Sequence, residues 1–301
     1  MTNIIYVNFY SEKLLIDSIM SVLKQTINAT FKIVVVNNGG PLLDLHRLFP
    51  TVEVIESSTN LGFGKANNLA AKSLEGEFVL FLNPDTILKS DIISEMENFY
   101  RLNYTNLSIG ALGSSVYDNN GNENFSSNYF PSISKDLAYL GKSLWRKLFR
   151  KQLRTGCTEY LKVDAIIGCN LFMKRNVFLD LNGFDDSFFM YFEDVDLCYR
   201  LFKEKGLNSF VLKEAHLIHL EGGSSKIETK YVSYRTYKFY IDSLFYYIGK
   251  HSEGKLQHSA RRIYFSIVIS LNVLLQGLSF RRVFNFTTKE KKSLLSQIFC
   301  K

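Results

Sequence analysis

A chain of 301 residues that is 46% hydrophobic and 22% charged holds enough apolar side chain for a sizeable core, which excludes an unfolded chain and allows one large domain or two small ones. Its net charge of +7 is unevenly placed: from Lys226 onward 14 Lys and Arg face 4 Asp and Glu, a balance of +10, while the first 225 residues carry 22 against 25, or −3. A near-neutral body with a basic, aromatic tail suits an acidic surface, either anionic lipid or nucleic acid.

Residues 3–9 form a short apolar run that predicts a buried strand. Ser11 then stands as the N-cap of a helix through Lys24, with Leu14, Leu15, Ile19, Val22 and Leu23 as its apolar face. Residues 31–36 predict a second strand, which ends on the turn residues Asn37-Asn38-Gly39-Gly40. A short helix over 42–48 and a strand over 52–55 follow, and Asn60-Leu61-Gly62-Phe63-Gly64-Lys65-Ala66-Asn67-Asn68 leads into another helix. The strand 77–82 stops at Asn83-Pro84-Asp85-Thr86. Alternating strands and helices with short joins predict an α/β, doubly wound, mostly parallel sheet. Ligands bind such sheets outside the carboxyl ends of the strands, and Asn37-Asn38, Asn60-Leu61-Gly62 and Asn83-Pro84-Asp85 all fall there. No GxGxxG follows a strand, and Gly62-Phe63-Gly64-Lys65 lacks the spacing of a P-loop, which speaks against a dehydrogenase or an ATPase.

The stretch 118–157 is polar and then mixed, and predicts a long mobile insertion over the site. Residues 163–173 predict a strand near the cleft. In 183–200, Glu193, Asp194 and Asp196 follow a run of aromatics and open a helix. One reading makes them first-turn carboxylates facing the positive end of the helix dipole. The other sets one of them on a cleft floor walled by Phe188, Phe189, Tyr191 and Phe192, where partial desolvation raises its basicity and suits it to general-base work. Residues 230–250 and 256–280 predict helices. On the second, Ile263, Ile267, Val268, Leu271, Leu274, Leu275 and Leu278 share a face, Ser266, Asn272 and Gln276 lie off it, and Arg261-Arg262 and Arg281-Arg282 flank it. Its apolar run falls short of a bilayer span. It reads either as an interfacial helix or as a helix packed on the core or on the second subunit of a homodimer. The cysteines 157, 169, 198 and 300 show neither CxxC nor zinc spacing, so free thiols in a reducing compartment are expected. The N-terminus shows no secretory pattern, which predicts a cytoplasmic protein.

Asp85 follows a strand and is turned outward by Pro84. It reads either as a turn former or as one of the one or two carboxylates that a hard divalent cation takes beside a diphosphate. His219 reads either as a structural histidine or as a second ligand to manganese or a related metal. His216 and His219 lack the HExxH pattern of a zinc protease.

Asn60-Leu61-Gly62-Phe63-Gly64, Asn83-Pro84-Asp85-Thr86, Gly183-Phe184-Asp185 with Phe188-Phe189-Met190-Tyr191, Glu193-Asp194-Val195-Asp196-Leu197 with Arg200, and His219 before Gly222-Gly223-Ser224 occur in this order. Together they resemble the family 2 glycosyltransferases, and among these the bacterial rhamnosyltransferase-like branch that builds O-antigen and other cell-surface polysaccharides. The resemblance covers residues 3–225, read as the catalytic domain (1–225), with 226–301 as a basic helical extension. It implies a GT-A fold, a nucleotide-sugar donor, a divalent cation (Mg²⁺ or Mn²⁺) and inversion at the anomeric carbon. It assigns Asp85 and His219 to the metal and Asp194 to the catalytic base, with Glu193, Asp196 and Arg200 supporting that base or the acceptor. Asn8, Asn37, Asn60, Gly62, Asn67, Asn83 and Gly168 fall to the nucleotide-sugar pocket. Two positions depart from the family pattern: Asn83 stands at the first acidic position of its DxD motif, and Asn37 stands where the family has an Asp that reads the edge of uracil or thymine.

The expected protein is thus an inverting, metal-dependent transferase that moves rhamnose from dTDP-rhamnose to a lipid-linked oligosaccharide, held peripherally on the cytoplasmic face of the inner membrane. A galactosyl-, glucosyl- or N-acetylhexosaminyltransferase using a UDP-sugar is the rival within the class. A non-catalytic sugar-nucleotide-binding scaffold is the rival outside it, and the joint presence of Asp85, Asp194 and His219 counts against that. Nucleic acid is not an expected partner, because the Arg pairs of 256–280 sit at its ends and not along one face.

Overall fold

The runs 33–36 and 78–82 have no polar side to turn to water, and in the computed structural model they become strands buried on both faces, with Lys32 exposed at the start of the first. The structure describes residues 1–132, 159–220, 233–275 and 286–300. It separates into two compact units. In described residues, the first holds 1–130, 159–189 and 193–220, and the second holds 131–132, 190–192, 233–275 and 286–300. All the site residues assigned above lie in the first unit. Most of the 118–157 insertion, and the end of the 256–280 helix, lie outside the described residues.

The first unit is built on a nine-stranded sheet of order β3-β2-β1-β4-β10-β6-β11-β5, with β8 paired to β11. The strands are β1 (Thr2–Asn8), β2 (Phe31–Asn37), β3 (Glu53–Glu56), β4 (Phe78–Leu82), β5 (Thr86–Leu88), β6 (Ile109–Tyr117), β8 (Tyr160–Val163), β10 (Asn170–Lys174) and β11 (Asn208–His219). β1, β2, β3, β4, β6 and β11 run one way, and β5, β8 and β10 the other. The sheet is therefore mostly parallel, with the mixed half beyond β4. Its registers bring Asn8, Asn37 and Glu56 level at one edge.

Between the strands run α1 (Glu12–Gln25), α2 (Leu43–Leu48), α3 (Gly62–Ser73) and α4 (Ile92–Leu107). The predicted α1 face is confirmed at Leu15, Ile19 and Val22, whereas Leu23 is half exposed and the buried stripe continues through Ser18 and Ser21. Ser11 does sit at the N-cap position, but its hydroxyl donates to Asn8 Oδ1 at 3.0 Å and makes no cap bond to the helix. α4 and β6 were not predicted. Asp91 starts that helix by accepting from Ser94 N at 3.2 Å, and Ser108, in a left-handed conformation, ends it. Phe78 and Phe172 stack at 4.8 Å in the core, with Tyr100 against both.

The predicted single strand over 163–173 is broken. A short strand β9 (Ala165–Ile166) pairs with β7 (Ser127–Asn128), a turn closes through Asn170 N to Ile167 O at 3.3 Å, and β10 starts afresh. Gly168 sits in this turn, and a Cβ there would lie 3.2 Å from the Phe63 ring, so a side chain would be crowded. β11 is irregular as well. Against β6 its register jumps between Leu212 and His216, a bulge after which the strand end lies between β6 and β5 and pairs with both.

A helix α5 (Arg175–Asp180) leads to the 181–192 turn, and α6 (Glu193–Lys205) follows it. Arg200, nearly buried on α6, donates to Asp196 Oδ2 at 2.8 Å and to the carbonyls of Leu181 and Gly183 at 2.7 Å each. This one guanidinium ties the helix to the preceding turn. Asp196, fully buried on that pair, is closed to an acceptor, which corrects the acceptor-orienting part of its expected role.

In the second unit, α7 (Tyr234–Lys250), α8 (Gly254–Leu275) and α9 (Thr288–Cys300) are helical. α8 buries Phe265, Ile269 and Val273 together with Ser266 and Ser270, while Ile263, Ile267 and Leu271 of the predicted apolar face are about half exposed or more. Arg261 is not a free flanking charge. It turns inward to the carbonyls of His251 and Pro131, and Arg262 lies over the Phe245 ring. Among the described residues no helix is long and apolar enough to cross a membrane.

Arg200→Met would leave the Asp196 carboxylate buried without its partner, a loss of about 3–5 kcal/mol. Urea unfolding should show it, and Arg200→Met with Asp196→Leu should recover much of it. A single-variant loss under about 1 kcal/mol would contradict the clamp.

Candidate active site

The carboxyl ends of β1 and β2 carry an amide network that leaves little to spare. Asn8 Nδ2 donates to Asn37 Oδ1 at 2.8 Å and to Gly39 O at 3.1 Å, while its Oδ1 accepts from the N–H and hydroxyl of Ser11. Asn37 Nδ2 donates to Gly40 O and to the Glu56 carboxylate, each at 2.9 Å, and its Oδ1 also takes Gly39 N at 3.3 Å. An Asn side chain has two N–H donors and one oxygen with two lone pairs, and Asn37 uses all of them. The expectation that Asn37 itself meets the base edge therefore fails on its own hydrogen bonds. It shapes the edge of the pocket instead.

Asn38, a turn residue at the ligand-facing end of β2, clamps the next loop. Its amide donates to Gly62 O at 2.9 Å and accepts from Leu61 N at 3.4 Å. Asn60 Oδ1 accepts from Gly62 N at 2.9 Å. Gly62 has φ +78°, and a Cβ there would sit 2.5 Å from Phe189 O, so glycine is required on both counts. Asn67 is fully buried on α3 and donates back to Phe63 O at 3.0 Å. Its Oδ1 is buried with no hydrogen-bond partner among the described residues.

Asn83 ends β4 with its carbonyl taken by Thr86 N and Oγ1, at 3.3 and 2.7 Å. This turn sets Asp85 at the head of β5. The β5–β11 pairing places His219 opposite Thr86, Leu220 N donates to Asp85 O at 2.8 Å, and His219 Nε2 lies 3.2 Å from Asp85 Oδ1. Two residues 134 positions apart in sequence thus share one point. Among the described residues no cluster of three or more His, Cys, Asp or Glu could hold a metal on its own. One carboxylate and one imidazole nevertheless fit a hard divalent cation whose remaining positions are filled by phosphate oxygens and water.

Asp194 is nearly buried at the first turn of α6. Its Oδ2 accepts from Gly168 N at 2.8 Å and its Oδ1 from Val195 N at 2.7 Å. Burial pushes its pKa above the usual carboxylate range, against the pull of those N–H groups. The neighbouring Glu193 is pushed up too, first by burial and then by the charge of Asp194. Glu193 Oε2 is buried with no hydrogen-bond partner among the described residues. Tyr191 and Phe192, just before these carboxylates, adopt left-handed conformations with φ +70° and +66°, a strain of about 1–3 kcal/mol each. Their rings pack on Tyr240 and Tyr247 of α7, and Met190 O accepts from Ser243 Oγ at 2.7 Å. Phe188 is buried within the first unit. Of the cysteines, 169 and 198 are buried and in no disulfide, and burial pushes the Cys198 thiol up to about 12, which disfavours its thiolate.

The model of the family described as "Glycosyl transferase family 2" matches residues 4–181, more than half of the chain and ending short of Asp194 and His219. The rhamnosyltransferase WbbL of Escherichia coli K12 is 25% identical over 233 residues, covering 73% of this chain and 83% of that protein. The N-acetylglucosaminyl-diphospho-decaprenol L-rhamnosyltransferase of Mycobacterium tuberculosis is 29% identical over 209 residues, and there the match spans 62% of this chain and 64% of the relative, less than two thirds of its length. Among solved structures, Staphylococcus aureus TarS 1–349 superposes with a TM-score of 0.52 at 14% identity, over 99% of this chain and 70% of that one. GalNAc-T7, solved with UDP, GalNAc and Mn²⁺, superposes with a TM-score of 0.58 at 14% identity, over 99% of this chain and 54% of that one. These two show the fold, that of the GT-A glycosyltransferases. With that fold and the family match, the chain belongs to glycosyl transferase family 2 and is a glycosyltransferase.

Proposed function

We propose that the protein is an inverting, metal-dependent glycosyltransferase that moves rhamnose from dTDP-rhamnose to a lipid-linked oligosaccharide. The observation that carries the reading is the pairing of β5 with β11, which brings His219 to Asp85 at the sheet edge where ligands of such folds bind. A bound Mg²⁺ or Mn²⁺ would neutralise charge on the departing nucleoside diphosphate. Asp85 and His219 would hold it, and Asn83 sets the turn that aims Asp85. Asp194 takes the proton of the attacking acceptor hydroxyl. Its raised proton affinity favours that transfer, and the Gly168 N–H fixes its orientation. Glu193 lies beside it, with Oε2 buried and without a hydrogen-bond partner among the described residues.

The rhamnose assignment draws on the names of two relatives, and the lipid-linked acceptor on the decaprenyl diphosphate in the name of the mycobacterial one. A UDP-hexose or UDP-N-acetylhexosamine donor is the second reading. It is favoured by the UDP complexes of TarS and GalNAc-T7 and by a hexosyltransferase among the relatives, Agl10 of Haloferax volcanii. Residues 226–301 would act as an extension that holds the enzyme peripherally on the cytoplasmic face of the inner membrane. The exposed Ile263, Ile267 and Leu271 and the basic balance of the tail support this role.

With purified protein, Mn²⁺ and a panel of dTDP- and UDP-sugars, Asp194→Asn should lower turnover by roughly 10²–10⁴-fold and leave donor binding near wild type. Unchanged turnover would remove Asp194 from the chemistry. The rate should rise with pH along a limb lying above the ordinary carboxylate range, because Asp194 must lose its proton to act. Stability should move the other way. Between the unfolded carboxylate pKa and the raised folded one the native state holds more protons, so the unfolding free energy falls as pH rises through that window. His219→Ala should weaken metal activation by more than the roughly 10–100-fold that loss of an outer-shell partner costs. Replacing Ile263, Ile267 and Leu271 together by Ser should lower partitioning onto phosphatidylglycerol-containing vesicles by at least about tenfold. Unchanged partitioning would leave that face to a protein partner.

A further inference from the structure

We propose that Glu56 reads the base of the nucleotide donor and selects an imide N–H, as in uracil or thymine, over cytosine; the proposal rests on the nucleotide-sugar reading of the site. The sheet itself sets where the base goes. The phosphates belong at Asp85, after β4, and on one side of that point stands the antiparallel β10 with the turn that bonds Asp194. On the other side the parallel strands β1, β2 and β3 step away, ending level at Asn8, Asn37 and Glu56. At a strand spacing of about 4.8 Å, the end of β3 lies three strands, or about 14 Å, from that of β4. An extended nucleoside diphosphate spans such a distance.

Of the polar groups along that edge, Asn8 and Asn37 have committed their amides to each other and to the backbone. Glu56 has not. One of its oxygens accepts from Asn37 Nδ2 at 2.9 Å, while Oε1 makes no hydrogen bond to the described residues and the side chain is exposed. The bond from Asn37 holds the carboxylate at the strand end and leaves an anionic acceptor facing out. After β1, Phe9 and Tyr10 expose 43% and 64% of their surface against the Gly39-Gly40 turn, whose Gly40 carbonyl accepts from the same Asn37 amide that bonds Glu56. Exposed aromatic faces stack bases of any kind, so they supply the plane and no selectivity. Selectivity comes from the carboxylate. It accepts the imide N–H of uracil or thymine in a charge-assisted bond, whereas cytosine turns a lone pair toward it from the same ring position. The charge that an Asp at position 37 would carry is thus supplied one strand further out.

Calorimetry of the full chain with UDP, dTDP, CDP and N3-methyl-UDP in Mg²⁺ tests this. The wild type should bind UDP and dTDP tighter than CDP and N3-methyl-UDP by on the order of tenfold or more. Glu56→Gln keeps the shape and the bond to Asn37 and can donate to the cytosine ring nitrogen, so its UDP-to-CDP ratio should fall by on the order of tenfold. Equal melting temperatures of the two proteins would separate a lost contact from a lost fold. A ratio unchanged in Glu56→Gln, with UDP or dTDP still bound, would overturn the role of Glu56 and leave the nucleotide-sugar reading standing. A wild type that binds none of the four would overturn both.

Discussion

Two adjacent carboxylates, Glu193 and Asp194, begin a helix from positions almost closed to water, and the protein around them answers the cost of that burial. An uncompensated buried carboxylate costs several kcal/mol. Asp194 recovers part of it from two backbone N–H groups, one of its own helix and one brought in by the Gly168 turn. The rest surfaces as a raised proton affinity, which is what a general base needs. Glu193 has no such pair of donors and is raised further by its neighbour's charge. One turn further on, Asp196 is buried more deeply than either and is matched by Arg200, so it stays structural. Three carboxylates in four residues thus differ in role because they differ in partners.

The same burial explains why the chain breaks where it does. A continuous strand over 163–173 would have buried the Gly168 N–H in the ladder, and the turn at 167–169 frees it for Asp194. The bulge in β11 shifts its register against β6, and beyond it the strand end pairs with β6 on one side and with β5 on the other, where His219 lies opposite Thr86 and close to Asp85. In both places regular backbone geometry is interrupted near a residue of the site. The left-handed pair Tyr191 and Phe192 is a third such case, with its strain held by ring packing on α7.

Much of this was legible in the sequence and some of it was not. β1, β2 and β4 were readable because apolar runs of that length with turn residues at the end have few other uses. Asp85, Asp194 and His219 drew notice because their motifs occur in a fixed order; that His219 lies 3.2 Å from Asp85 was not legible in either motif alone. The order of the strands beyond β4 rests on pairings between distant segments, which local pattern does not encode. Asn37 was misread because its identity says nothing of its bonds: only the registers with Asn8 and Glu56 show that its amide is spent. On α8 the wheel found the apolar stripe, but the helix packs through the neighbouring stripe of Phe265, Ile269 and Val273, with two serines beside them. Periodicity identifies a face and leaves open what it faces.

The proposed reaction needs one geometry, with the leaving diphosphate at Asp85 and His219 and with Asp194, at the head of α6, as the base. A crystal grown with Mn²⁺ and dTDP, with anomalous scattering recorded at the manganese edge, tests it most directly. The account predicts a single manganese bonded to Asp85 and His219 Nε2, carrying the diphosphate, with the base toward the ends of β2 and β3. Nucleotide bound with no manganese at that pair, or with its phosphates on another edge of the sheet, would contradict it.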